Sequence, residues 1–246
     1  MTERPIIFSA PMVNAILAGK KNVTRRIVKF PLRPMVSKEP AGPETHYAGG
    51  MQRESDDSPA QFDLQSHFAE GAAGLCPYGD AGTRLWLKEA FYAFGRWEKH
   101  PNKKRSRDDW RFIDMTLQSG HDYCFEEPAS YVKTSRDDPG PAWWLRPSLF
   151  MPRRASRVDL EVTDVRIERL RDITDEQAQA EGFSPMHDGV HMYFVNHLPH
   201  PSTGMSITAV IAFALYWQRL HGSDSWNENP WVWVVSFRRL DQPPKP

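Results

Sequence analysis

The apolar positions of the first thirty residues change period twice. Pro5 to Phe8 is a short apolar run that reads as a strand. Val13, Ile16 and Leu17 then fall at i, i+3 and i+4 behind Ser9 and Pro11, which predicts a short helix ending at Gly19. Val23 to Val28 is rich in β-branched residues and predicts a second strand, with Thr24 and Arg26 on one face. Later, Leu85 and Leu87 alternate with Trp86 and Lys88, and Val158, Leu160 and Val162 alternate with Asp159, Glu161 and Thr163 before Val165 and Ile167 extend the run. Thr174 and Gln177 form a capping box ahead of a helix that Gly182 stops, and Ser206 to His221 carries an apolar helical stripe. Pro230 to Leu240 predicts a buried closing strand. Tyr123–Phe125 and Tyr131–Lys133 read as a strand pair around Glu126-Glu127-Pro128. Short strands with two to four short helices, no strand–helix–strand rhythm and no repeat predict a single α+β domain.

Composition adds bounds. A chain of 246 residues with 40% hydrophobic and 12% aromatic content can bury a substantial core. Formal net charge is zero, so any nucleic-acid surface must be a local patch. Candidates are the basic run Lys99 to Arg107, with His100, Lys103, Lys104, Arg105 and Arg107 ahead of Trp110 and Phe112, and the trio Arg153, Arg154 and Arg157. Either is also compatible with ordinary solvated charge. The aromatic residues are expected first in the core and at its rim, and only second as stacking platforms. Cys76 and Cys124 lack metal-ligand spacing, and His187, His191, His197 and His200 have no completing ligand set, so no metal and no cofactor are expected. The chain shows no signal-like or transmembrane run, which predicts a cytoplasmic protein without a membrane partner. Oligomeric state stays open.

The chemistry concentrates in Gly19-Lys20-Lys21-Asn22-Val23-Thr24-Arg25-Arg26. A cation, a hydroxyl and a guanidinium converge there at a helix-to-strand turn, an arrangement suited to an anionic or carbonyl-bearing ligand. Gly19-x-Lys21-x-x-Thr24-x-Arg26 resembles the G-x-K-x-x-T-x-R signature of the ASCH domain family, a branch of the PUA-like β-barrels. Asp80-Ala-Gly82-Thr83 with Leu85-Trp86-Leu87-Lys88-Glu89 is similar to the "Gly-Asp, Leu-Trp-Val-Arg-Glu" strand of phage and prophage ASCH proteins, although Thr83 stands where that pattern has Asp. Pro147-Ser148, Met151-Pro152 and Ala155-Ser156-Arg157 extend the likeness.

That resemblance implies a PUA-like mixed β-barrel with short helices at its rim and long loop insertions at about 31–75, 95–142 and 183–205. It also implies a protein directed at RNA or a modified nucleoside. Family members include RNA-binding modules, proteins reported to cleave RNA, and an amidohydrolase that removes the acetyl group of N4-acetylcytidine. On that pattern Lys21, Thr24 and Glu181 are the expected catalytic residues, with Glu181 matching a catalytic Glu on a short helix after the long strand. Gly19, Arg26, Trp86, Lys88, Arg153 and Arg157 are expected to bind substrate. A non-catalytic binding module, a ribonuclease and a purely structural phage protein remain alternatives. Lys21 and Thr24 are expected outside the apolar core.

Overall fold

The computed structural model describes residues 3–29, 76–102, 107–131, 133, 135–137, 140–187, 192–195, 205–206 and 208–240. The elements are β1 (Glu3–Ile7), α1 (Ala10–Leu17), β2 (Val23–Ile27), β3 (Arg84–Lys88), β4 (Phe91–Asn102), β5 (Arg107–Asp114), β6 (Ala142–Arg146), β7 (Asp159–Arg169), α2 (Asp175–Ala180), β8 (Ser184–His187), β9 (Met192–Val195), β10 (Met205–Ser206), α3 (Ala209–His221) and β11 (Trp231–Leu240). The α+β expectation holds in this coarse form: mostly strands, few helices.

The main sheet has the order β1-β3-β7-β11-β2, with β1 parallel to β3 and the other pairs antiparallel. Its centre is the long β7–β11 ladder, bent at a register shift between Ser236 and Phe237. Val232, Trp233, Val234 and Val235 are all buried, so β11 is covered on both faces and its apolar run needs no alternation. One core gathers Ile6, Phe8, Leu85, Leu87, Leu160 and Val162 with Phe183, Phe213 and Trp217. Each fully buried Leu, Ile or Phe there contributes about 1.5–3 kcal/mol.

β1 and β2 lie at opposite ends of the strand order, yet the Arg26 guanidinium on β2 donates from Nη2 to the Ile7 carbonyl on β1 at 2.6 Å. The sheet therefore curls until its edges are one side chain apart. Among the described residues no ladder joins β1 to β2, so the closed barrel expected from the resemblance is an open, curled sheet. The physical reason is local: β1 runs straight into α1 and returns as β2, and the gap is bridged by a guanidinium rather than by backbone pairing.

A second sheet, β5-β4-β6, and a third, β10-β9-β8, account for much of what reads in sequence as insertion. The segments at 95–142 and 183–205 thus carry strands rather than loops alone, while 31–75 lies outside the described residues. Tyr123–Phe125 and Tyr131–Lys133 do not form a strand pair in the described residues. Tyr92 instead makes a single bridge to Cys124, and the Tyr131 ring packs edge-on against Tyr92 at 5.2 Å. The Tyr131 N–H closes a turn on the Pro128 carbonyl at 2.8 Å.

Candidate functional site

Two helix ends meet at the site. α1 closes in a left-handed turn at Gly19 (φ +70°), where the Gly19 N–H donates to the Ile16 carbonyl at 3.0 Å and the Lys20 N–H to the Ala15 carbonyl at 2.9 Å. α2 closes the same way at Gly182 (φ +103°), with Gly182 N–H to Gln179 and Phe183 N–H to Ala178. The capping box read from the sequence is present at the other end of α2: the Gln177 N–H donates to the Thr174 hydroxyl, and the Thr174 N–H to Gln177 Oε1. The two closing turns are stitched together where the Asn22 N–H donates to the Ala180 carbonyl at 3.0 Å. β11 locks the assembly through the Phe237 N–H on the Asn22 carbonyl at 2.8 Å.

This stitching places Lys21 against Glu181, 160 residues away in sequence. The Lys21 ammonium donates to the Glu181 carboxylate through Oε2, to the Glu181 carbonyl at 2.9 Å and to the Val23 carbonyl at 2.8 Å. A lysine has three N–H donors, and here all three are engaged. The contact with the Glu181 carbonyl also sets a cation at the C-terminal end of α2, which suits the helix dipole. Lys21 is 3% exposed, Thr24 4% and Glu181 4%. The expectation that Lys21 and Thr24 sit outside the core is overturned, because β2 pairs with the doubly covered β11 and Thr24 faces Val235 in register.

Burial pushes the Lys21 ammonium below the ordinary lysine range, against the charge and hydrogen bond of Glu181, which raise it; the charges of Arg26 and Arg25 lower it further. Thr24 Oγ1 has no hydrogen-bond partner among the described residues. It lies one residue beyond the carbonyl that Lys21 grips.

Arg25 is the residue that sequence reasoning missed. Its side chain is fully buried and donates from Nη2 to Gln177 Oε1 at 2.7 Å and to Glu168 at 3.2 Å, while Nη1 stands 3.6 Å from Glu181 Oε1. Its Nε and Nη1, and Glu181 Oε1, are buried without a hydrogen bond. Alternation puts Arg25 opposite Thr24 and Arg26, and with one buried face assumed it reads as solvent-facing. The apolar run of β11 was the available signal that both faces are covered. Tyr216 of α3 is a second omission: its phenol neighbours Ser9, burial pushes it up, and the charge of Glu181 reaches it.

The remaining expected binders divide. Gly19 shapes the turn. Arg26 stacks over Phe8 at 4.9 Å, holds the Ile7 carbonyl and keeps its Nε buried without a partner. Trp86 and Lys88 project from the face of β3 opposite the buried Leu85 and Leu87, and Lys88 donates to the Leu149 carbonyl at 2.6 Å. Arg153 pairs with Glu3 and Asp159, Arg154 with Asp114, and Arg157 bidentately with the buried Glu89 at 2.8 and 3.0 Å. Internal carboxylates therefore already hold the three arginines expected to contact phosphate. Lys103, Lys104, Arg105 and the histidines 191, 197 and 200 lie outside the described residues, as do the side chains of Arg107 and His187. Among the described residues no cluster of metal-ligating side chains occurs, and no helix is long and apolar enough to cross a membrane.

No protein-family profile, curated protein or solved structure matches this chain. The likeness to the ASCH family rests on the residues quoted above.

Proposed function

We propose that this protein acts on RNA or a modified nucleoside through the Lys21–Thr24–Glu181 corner, as an amidohydrolase of N-acylated cytidine-like bases, on a curled sheet of the PUA-like, ASCH kind. The observation that carries the reading is a buried lysine of depressed basicity, ion-paired to a distant glutamate and hydrogen-bonded to the carbonyl of Val23, the residue before the buried Thr24. Such a lysine, once neutral, takes the Thr24 proton. The hydroxyl oxygen attacks the amide carbonyl, and the C–N bond breaks as the proton passes through Glu181 to the leaving amine. Water then hydrolyses the acyl-threonine, so that amide and water become amine and carboxylic acid. In this reading Arg26, on the Thr24 face of β2, helps to hold substrate.

A second reading has its own support: with all three Lys21 N–H groups engaged, the pair also serves as a lock between α2 and β2, as a binding module would require. The test is incubation of the purified protein with N4-acetylcytidine and other N-acylated nucleosides, followed by mass spectrometry. An enzyme releases the free amine, and Thr24→Ala lowers turnover by roughly two orders of magnitude or more with a smaller effect on binding. Ligand binding without product assigns the module reading, and neither binding nor product removes both.

A further inference from the structure

The second sheet carries a buried cation that has no ion pair among the described residues. Arg146 of β6 is 8% exposed, and among the described residues its guanidinium makes no hydrogen bond and no ion pair. Its guanidinium lies against three rings, Phe112 at 4.4 Å, Trp97 at 4.7 Å and Phe150 at 5.0 Å. A second guanidinium, that of Arg136, sits over the same Trp97 ring at 4.5 Å, also without an ion pair among the described residues, and Trp97 Nε1 is buried with no acceptor. Asp114, whose charge reaches Arg146, is committed to Tyr123, Thr116 and Arg154. Two guanidinium groups thus share one indole whose own N–H is unpaired, and among the described residues no acceptor answers them.

The charge of Arg136 reaches Arg146, and two like charges on one indole call for an anion with several acceptor oxygens, which planar guanidinium groups engage in pairs. The surrounding surface narrows the choice. Phe150 is exposed beside Arg146, and one step along the same face of the β4–β5 hairpin Lys99 lies over Trp110 at 4.8 Å while its ammonium pairs with the exposed Asp137 at 3.2 Å. Cations interleaved with aromatic faces are what a single strand of nucleic acid needs, phosphates on the cations and bases on the rings.

We propose that Arg146, Arg136 and Trp97 form a phosphodiester-binding site for single-stranded nucleic acid, with Phe150 as the platform on which a base stacks. The site is separate from the Lys21 corner, and a failure of nucleoside deacylation leaves it standing.

The experiment measures binding of fluorescein-labelled single-stranded RNA and DNA oligonucleotides to the full chain by anisotropy, across a salt series. The parent protein should bind, more weakly as salt rises. Arg136→Gln and Arg146→Gln should each reduce the magnitude of the log–log salt slope by about 0.7, the share of one phosphate on a single strand. Phe150→Ala, at an exposed position, should weaken binding by roughly fivefold to a hundredfold without changing that slope. Circular dichroism checks that Arg146→Gln is folded; if it is not, Arg136→Gln and Phe150→Ala decide. Absence of binding at low salt, or affinities in Arg136→Gln and Phe150→Ala equal to the parent's, would overturn the site. Preference for a phosphorylated peptide over every oligonucleotide would overturn the nucleic-acid assignment.

Discussion

Lys21 is held as firmly as it is desolvated, and two expectations follow. Lys21→Met strands the Glu181 carboxylate in the core with only Arg25 nearby, which should cost on the order of 3 kcal/mol in urea unfolding. Lys21→Met combined with Glu181→Gln removes both charges and should recover a large part of that loss, so the cycle would read a strong coupling. The second expectation concerns pH. The folded Lys21 binds its proton less tightly than the unfolded lysine, whose pKa is about 10.4. Between the two values the unfolded chain holds more protons, so stability rises with pH through that window, and the penalty of charging a buried amine persists below it. Subtracting the Lys21→Met profile from the parent's isolates this rise from the tyrosines, and a flat or falling difference would contradict it. Thr24 and Arg26 could be placed on one face by alternation alone. The engagement of Arg25 could not, because it depends on which strand lies beside β2.

α1, its glycine stop, β2 and the capped α2 were legible because each is set by chemistry within a few residues: a cap, a left-handed glycine, a β-branched run. Gly19→Ala meets open space, so its penalty is that of the positive φ alone. Thermal unfolding should show a loss of about 1–2 kcal/mol, and Gly19→Asn should lose less. The sheet of β4, β5 and β6 was not legible as such. Phe91, Tyr92, Ala93 and Phe94 bring bulky residues to both faces, so β4 shows no two-residue period; Phe91 and Ala93 pack on Met151 and Ala155, while Phe94 meets His121 and Trp143. The meeting of Lys21 with Glu181 was likewise anticipated from family likeness and not from local pattern, since no spacing rule reaches across 160 residues.

For the molecule as a whole, Glu89 and Arg157 tie the two larger sheets together. Glu89 lies in the two-residue step from β3 to β4, fully buried, and takes both guanidinium contacts from Arg157 just ahead of β7, while that guanidinium also covers Phe125 at 4.2 Å. Arg157→Ala leaves a buried carboxylate unanswered and should lower stability by roughly 3 kcal/mol in urea unfolding. Arg157→Lys keeps a charge but loses the paired geometry, and should fall between the two. The pairing of β2 with β11 has a consequence in time. Some two hundred residues separate these neighbouring strands, so a ribosome adding roughly 5–20 residues per second leaves β2 waiting about 10–40 s for its partner to be made. During that interval Lys21 is an ordinary hydrated lysine. The depressed basicity on which the proposed chemistry depends is acquired late in synthesis, when the chain finally closes over it.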